Sequence, residues 1–194
     1  MELVVGVDEV GRGAWFGPVV GGAVLYTPCL WDLGVRDSKK LSPRQRQQLS
    51  ELIQKQTQWG IGVVGVAEID KFNILAASLL AMERAIKALG VTPHHCLVDG
   101  RDRLGWQEVS PLPQTAIVGG DALSVVIGAA SIVAKVYRDS LIAQMAHHYP
   151  GYDLANNKGY GTPKHRQAVI QLGLSDQHRR SFRMRGQGGN SLFE

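Results

Sequence analysis

Apolar and polar residues follow one another along the chain in blocks that predict strands and helices in mixed order. Short apolar runs rich in β-branched residues predict five strands, at residues 3–7, 19–26, 61–66, 95–98 and 115–118. Longer periodic or alanine-rich segments predict helices, at residues 43–58, 74–89, 124–147 and 163–172. The first two strands are typical of a hairpin. We therefore expect an α/β domain whose mixed sheet is flanked by helices.

Local signals mark the ends of two of these helices. Ser42 followed by Pro43 provides an N-cap and a proline suited to the first turn. Gly90 takes the position just past the end of the 74–89 segment, where glycine ends many helices. Residues 151–161 predict a loop, and the glycine-containing end at 186–194 predicts a poorly ordered tail. A single domain over residues 1–185 is expected, because roughly 100–200 residues form one domain.

Composition excludes several classes of protein. The 194 residues are 44% hydrophobic and 20% charged, which is typical of a folded globular chain and not of a disordered one. A run of roughly 18 apolar residues would predict a membrane span, and the sequence has none. The acidic start does not resemble a signal peptide. Cys29 and Cys96 match neither a disulfide framework nor a zinc pattern, so we expect a reducing cytoplasm.

The formal net charge of +4 is unevenly distributed along the chain. Residues 158–185 hold seven Lys and Arg against one acid, Asp176, so this basic segment carries +6 and the remainder −2. A basic segment beside an acid-bearing body predicts a polyanionic partner. On charge alone, a solvated basic tail is an equal alternative.

Carboxylates stand at the ends of three of the predicted strands. Asp8 and Glu9 follow the first strand, Asp99 the fourth, and Asp121 the fifth. Strand ends that face one way form sites in α/β proteins, and four carboxylates there would repel one another unless cations neutralised them. Hard oxygen ligands suit Mg²⁺ or Mn²⁺, and a pair of such ions serves phosphoryl chemistry. For any one of these acids, a turn-forming role is the alternative.

Three further segments carry candidate binding residues. The Gly11-Arg12-Gly13 turn lets the backbone approach a sugar-phosphate, with amides able to donate to a phosphate or a 2′-hydroxyl. Lys39 precedes the first predicted helix and suits a scissile phosphate. Tyr160 lies between two glycines and suits stacking on a sugar or base. The structural alternatives are a plain turn, a solvated lysine and a tyrosine packed against its own loop.

Taken together, these segments resemble ribonuclease HII, the type 2 ribonuclease H family. The resemblance covers nearly the whole chain and follows the family's order. The motifs are GVDEVGRG at 6–13, GPVV at 17–20, DSKKLS at 37–42, VDG at 98–100, GD at 120–121, AASIVAKV at 129–136, RD at 138–139, GYGT at 159–162 with His165, and HRRSF at 178–182.

The resemblance implies an RNase H-like fold with a C-terminal helical extension. It implies cleavage of RNA in RNA/DNA hybrids and incision 5′ of single ribonucleotides in duplex DNA, which is the chemistry of ribonucleotide excision. The products would carry 3′-hydroxyl and 5′-phosphate ends. Two Mn²⁺ or Mg²⁺ ions would act in catalysis, held by the family's four acids, which correspond to Asp8, Glu9, Asp99 and Asp121.

The resemblance also implies roles in substrate binding. Gly11, Arg12 and Gly13 would contact the 2′-hydroxyl, and Tyr160 would sense the junction between RNA and DNA. We further expect Lys39 and the basic segment to hold the phosphate backbone, and we expect a monomer.

Two other classes of protein remain open. A non-catalytic protein that binds hybrids would keep the fold and not the chemistry, although the retained acids argue against it. The related ribonuclease HIII prefers longer RNA tracts and usually carries an extra N-terminal domain. Asp8 lies close to the first residue, so no such domain is expected here.

Overall fold

The computed structural model describes residues 2–35, 41–107 and 109–182. The strands of this part of the chain are β1 Val4–Val10, β2 Val19–Leu25, β3 Trp59–Val64, β4 His95–Asp99 and β5 Gln114–Ile117. Its α-helices are α1 Pro43–Gln56, α2 Val66–Phe72, α3 Ile74–Ala88, α4 Gly120–Leu123, α5 Val125–Met145, α6 Leu154–Asn157 and α7 Pro163–Leu172. No helix in these ranges has both the length and the apolar content needed to cross a membrane.

The five strands form one mixed sheet, as predicted, and their order in it is β3-β2-β1-β4-β5. The hairpin of β1 and β2 is antiparallel, and so is the pairing of β2 with β3. The pairs β1–β4 and β4–β5 are parallel. In the β1–β4 pair, Val7 lies opposite Val98. The residues that follow them, Asp8 and Asp99, therefore come together at one edge of the sheet.

Helices cover both faces of the sheet. On one face, Met82 and Ile86 of α3 pack with Val7 in one apolar cluster. On the other face, α5 packs against β1 and β2, with α1 outside it. A Cβ built on Gly6 would lie 2.5 Å from the carbonyl carbon of Val126, so the close approach of α5 to β1 requires glycine there. The strand that carries Asp8 is thereby held against the longest helix.

The predicted C-terminal helical extension is confirmed as α6, α7 and the segment up to residue 182. Its own apolar cluster includes Leu154 and Val169, packed with Phe16 from the segment after β1. Two isolated antiparallel bridges join the same parts of the chain, pairing Ala14 with Tyr160 and Phe16 with His178. The extension is therefore tied to the segment that follows the acids of β1.

Several predicted boundaries are wrong in detail. Strand β3 ends at Val64, two residues early, because Gly65 caps α2, a helix too short to show a period. The predicted loop 151–161 contains the single helical turn α6. The acids of β1 lie within the strand and not after it, because pairing with β2 continues to Val10. The predicted tail at 186–194 lies outside the described residues.

Candidate active site

Three carboxylates meet where β1 and β4 run side by side. Asp8, Glu9 and Asp99 each place one oxygen within 4.8 Å of the other two. We call this group the carboxylate triad. Asp8 is buried, and the other two are partly buried. The sequence prediction that these three acids converge is therefore met by the geometry, and parallel pairing of β1 with β4 is the reason.

Burial and the neighbouring carboxylates make two acids of the triad, Asp8 and Glu9, costly to ionise. Burial raises the pKa of Asp8 to about 8; a hydrogen bond with Ser131 opposes the rise, and the charges of Glu9 and Asp99 add to it. Burial also raises the pKa of Glu9, against the opposing charge of Arg12. The Arg12 Nη1 donates to Glu9 Oε1 at 3.3 Å. A cation among these oxygens would favour the ionised forms.

The donor set fits a divalent cation. Asp99 Oδ1 is buried and accepts no hydrogen bond from any residue in the described ranges. A buried acceptor without a partner costs about 1–3 kcal/mol, which is reason to expect a ligand at this atom. Carboxylate oxygens are the ligands that Mg²⁺ and Mn²⁺ prefer. Asp8, Glu9 and Asp99 are therefore the residues that could hold such an ion.

Asp121 lies in the adjoining helix α4 and is not one of the three acids grouped within 4.8 Å. Its neighbour in sequence, Gly120, borders the triad, since a Cβ built on Gly120 would lie 3.2 Å from Asp99 Oδ1. The backbone of α4 at Gly120 therefore passes next to Asp99. The assignment of Asp121 as a fourth ligand stays a prediction.

A cleft of about 480 Å³ opens beside the triad. The charged and polar part of its wall includes Glu9 and Asp99 together with Arg12 and Arg101. The apolar part of its wall comes from α3 and the end of β5, with Leu75, Leu79, Met82 and Val118. A cleft that combines arginines with an apolar wall suits a strand that carries phosphates and planar bases.

The Gly11-Arg12-Gly13 turn leaves β1 next to the triad. Gly11 has a φ of +94°, and a Cβ there would collide with the side chain of Arg138, so the turn requires glycine at this position. The Ala14 amide closes the turn by donating to Gly11 O at 3.2 Å. Arg12 and Gly13 are exposed, and because Gly13 has no side chain, its exposed surface is backbone that a ligand can reach.

The structure brings Tyr160 to this turn through the bridge between Ala14 and Tyr160. The ring of Tyr160 is partly buried and lies close to two cationic groups. Lys135 Nζ is 5.7 Å and Arg138 Cζ 5.5 Å from the ring centroid. Backbone pairing therefore holds the tyrosine next to the turn. Lys39, the remaining predicted binding residue, lies outside the described residues.

Sequence reasoning missed a buried arginine that lies against the turn. Arg138, on α5, donates from its guanidinium to the carbonyl oxygens of Phe16, Pro18 and Lys158 at 2.9–3.0 Å. A signal was available, because position 138 falls four residues after Ala134 and four before Ile142 on the buried side of the helix. A charged residue in that row indicates a specific buried partner.

A second buried arginine corrects an expectation about the basic segment. Arg179 has no exposed surface, and it donates to the carbonyl oxygens of Arg12 and Gly17, each at 2.9 Å. The expectation that the whole basic segment holds a phosphate backbone is therefore wrong for Arg179. Its neighbour Arg180 is exposed. Within the basic segment, Arg179 therefore has a structural role, whereas Arg180 contributes its charge to the surface.

A mixed α/β sheet that carries a carboxylate triad beside a cleft defines the class of metal-dependent nucleases with an RNase H-like fold. The family model described as Ribonuclease HII matches residues 5–185. This chain belongs to the ribonuclease HII family. Its members are metal-dependent endonucleases with ribonuclease H activity on RNA/DNA hybrids. The predicted family, fold and class of enzyme are confirmed.

Individual relatives agree with the family match. Ribonuclease HII of Microcystis aeruginosa is 53% identical over 184 residues, covering 93% of this chain and 87% of the relative. Ribonuclease HII of Moorella thermoacetica is 50% identical over 181 residues, covering 93% and 86%. The solved structure of the PCNA:RNase HII complex from Archaeoglobus fulgidus is similar at 26% identity, with a TM-score of 0.81 and coverage of 95% and 97%.

Proposed function

We propose that this protein incises duplex DNA on the 5′ side of a single embedded ribonucleotide, in addition to cleaving RNA in hybrids. The observation that carries the proposal is the joining of two predicted recognition elements beside the triad. The exposed Gly13 is followed by Ala14, which is bridged to Tyr160, and Arg12 pairs with Glu9. These contacts keep a candidate 2′-hydroxyl site next to the acids and next to a candidate reader of the junction.

The four acids, Asp8, Glu9, Asp99 and Asp121, are proposed to hold two divalent ions, Mg²⁺ or Mn²⁺. When bound, such a pair supplies an activated water and stabilises the departing 3′-oxygen, which gives 3′-hydroxyl and 5′-phosphate ends. The protein holds Asp8, Glu9 and Asp99 on the neighbouring strands β1 and β4, so the oxygens of these three acids need little rearrangement. Asp99 Oδ1, which is buried, is the atom whose need for a ligand is clearest.

The turn identifies the ribonucleotide in this proposal. The amides of Arg12 and Gly13 would donate to the 2′-hydroxyl, a group that DNA lacks. Arg179 holds the Arg12 carbonyl, and Arg138 lies against Gly11, so the turn is fixed before substrate arrives. Such preorganisation lowers the cost of ordering the site on binding.

Tyr160 would read the next sugar by packing its ring on a deoxyribose. The nearby cations Lys135 and Arg138 help to fix the ring by cation–π attraction. A ribose in the same place would bring a 2′-hydroxyl against the ring face. Lys39 and exposed basic residues such as Lys164 and Arg180 are proposed to hold the phosphate backbone, which makes binding weaker at high salt.

The test is metal-dependent cleavage of a DNA duplex with one ribonucleotide, compared with a duplex that holds an RNA tract. The wild-type protein should cut the first duplex on the 5′ side of the ribonucleotide. Tyr160→Ala should lose about tenfold or more of kcat/KM on the single ribonucleotide, because stacking is worth about 1–3 kcal/mol, and should keep its activity on the tract.

Tyr137→Ala is the matched control, since Tyr137 is an exposed tyrosine on α5. It should leave both activities unchanged. A wild-type protein that cuts the tract and leaves the single ribonucleotide intact would contradict the proposal. Equal cleavage of the single ribonucleotide by Tyr160→Ala and the wild type would remove the role of Tyr160.

A further inference from the structure

Two buried histidines outside the triad form a hydrogen-bonded pair. His165 lies in α7 and His178 in the segment after it, and neither has exposed surface. Their Nε2 atoms are 3.1 Å apart. His165 Nδ1 lies 2.9 Å from the carbonyl oxygen of Tyr160, and His178 Nδ1 accepts from the Ser175 amide at 3.0 Å. All four ring nitrogens therefore have partners.

The partners determine which nitrogen of each ring carries the proton. A carbonyl oxygen can only accept, so His165 Nδ1 carries hydrogen and His165 Nε2 does not. A backbone amide can only donate, so His178 Nδ1 is bare and His178 Nε2 carries hydrogen. The Nε2–H of His178 thus donates to the Nε2 of His165. The hydrogen bonds run in one direction, from Ser175 through both rings to Tyr160.

The surroundings of the pair keep both rings neutral. Burial lowers the pKa of His165, with the Tyr160 carbonyl and the Asp153 charge opposing it. Burial lowers the pKa of His178 to about 4; the neighbouring ring adds to this effect and Asp176 opposes it. Aromatic side chains surround the pair. Trp15 packs against His165, Phe16 against His178, and Tyr152 against both. The arrangement of protons is therefore set at neutral pH.

This chain of hydrogen bonds, which we call the histidine relay, ends at the backbone of Tyr160, the residue proposed to sense the junction. The Tyr160 carbonyl accepts from His165 and also from the Thr162 amide at 2.8 Å. The Tyr160 amide donates to Asn157 O at 3.0 Å. The histidine relay, the backbone hydrogen bonds with Asn157 and Thr162, and the bridge to Ala14 together fix the main chain of Tyr160.

We propose that His165 and His178 are positioning residues for substrate selection, holding Tyr160 at the junction between ribose and deoxyribose. This inference rests on the proposed function of Tyr160. A loose Tyr160 would still allow hydrolysis, since the acids lie on other elements, and it would impair the choice of substrate. The pair therefore acts on the preference for a single ribonucleotide over an RNA tract.

The experiment uses two matched substitutions at His165 in the full chain. His165→Asn keeps a donor where Nδ1 stands, facing the Tyr160 carbonyl, whereas His165→Gln moves the amide to the position of Nε2 and removes that donor. The readout is the ratio of kcat/KM on the single ribonucleotide to kcat/KM on the tract. We expect His165→Gln to lower this ratio about tenfold, the effect of roughly one lost hydrogen bond, and His165→Asn to keep it.

Loss of folded protein lowers both activities together, so the ratio reports only on the molecules that fold. An unchanged ratio in His165→Gln would therefore overturn the inference. Tyr160→Ala in the same assay separates the two proposals. If Tyr160→Ala lowers the ratio and His165→Gln does not, the positioning role alone fails. If Tyr160→Ala leaves the ratio unchanged, the proposed function of Tyr160 fails, and the positioning role fails with it.

A measurement on the wild-type protein makes the inference testable even if the variants fold poorly. Nitrogen-15 chemical shifts of the histidine rings at neutral pH should show His165 protonated on Nδ1 and His178 protonated on Nε2. Any other pair of tautomers would contradict the inferred direction of the hydrogen bonds from Ser175 to Tyr160 and overturn the inference.

Discussion

Arg179 donates a hydrogen bond from its Nη1 to the carbonyl oxygen of Arg12 at 2.9 Å, joining residues 167 apart in sequence. Its Nε donates to Gly17 O at the same distance. One buried side chain thereby holds both ends of the segment that leaves β1. The recognition turn is consequently part of the packing between the sheet and the C-terminal extension.

Replacing Arg179 should lower the stability of the whole domain. Arg179→Met keeps much of the side-chain volume and leaves two carbonyls, of Arg12 and Gly17, without their donor. A buried acceptor without a partner costs about 1–3 kcal/mol; the contact with Gly17 O is buried and that with Arg12 O partly buried, so we expect the free energy of unfolding to fall by roughly 1–4 kcal/mol. Urea denaturation measures this change.

Arg180→Met is the control, because the side chain of Arg180 is exposed. Its free energy of unfolding should stay within about 0.5 kcal/mol of the wild-type value. Equal losses of stability in the two variants would contradict the structural role of Arg179.

The two glycines of the turn should respond differently to the same added methyl group. In Gly11→Ala, the Cβ would collide with the Arg138 guanidinium at a φ of +94°, and we expect a loss of stability of about 1–3 kcal/mol. A Cβ on Gly13 meets nothing within 4 Å, so Gly13→Ala should keep its thermal midpoint. Thermal unfolding of both variants tests this; similar midpoints would contradict the packing of Gly11 on Arg138.

The sequence predicts the strands that carry the triad well, because each strand is marked by a local apolar run. The apolar runs that end at Val7 and Val98 mark two strands, and parallel pairing then brings Asp8 and Asp99 together. Sequence pattern does not predict the partners of Arg179, because an arginine in a basic segment suggests a surface position. Its burial depends on carbonyls from a segment more than 160 residues away.

The proton arrangement of the histidine pair is similarly beyond sequence reasoning. Neither His165 nor His178 belongs to a spacing pattern of metal ligands. Their roles follow from what each ring nitrogen faces, which depends on how α7 packs beneath Tyr160. The one signal in the sequence is that both lie within the motifs that resemble the family.

The histidine pair should make the stability of the folded protein depend on pH in the mildly acidic range. The pKa of His178 is lowered to about 4 in the folded protein, from an ordinary value of 6.5. Between these values the unfolded chain binds a proton that the folded protein does not, so stability rises with pH across this window and is lost as pH falls. His178→Gln removes the titrating ring and should flatten this part of the pH profile. Urea midpoints from pH 4 to 7 measure it, and identical profiles would contradict the assignment.

The triad should give the opposite pH dependence when no divalent cation is bound. The pKa of Asp8 is raised to about 8 from an ordinary value of 3.8. Between these values the folded protein keeps a proton that the unfolded chain releases, so the stability of the metal-free protein falls as pH rises across this window. The asparagine of Asp8→Asn cannot ionise, so the stability of this variant should not decrease in the same way as pH rises. Chemical denaturation in EDTA from pH 4 to 9 measures the difference between the two proteins.

Divalent ions should reverse this loss, because they bind the ionised oxygens that burial disfavours. At 100 times the dissociation constant, Mg²⁺ or Mn²⁺ should stabilise the wild-type protein by about 2.7 kcal/mol at pH 8. Asp8→Asn should gain much less, since it removes one charged ligand of the triad. Asp32→Asn, at an exposed position on another part of the surface, should gain as much as the wild type. If all three proteins gained equally, the ion would be binding elsewhere and the triad would not be the metal site.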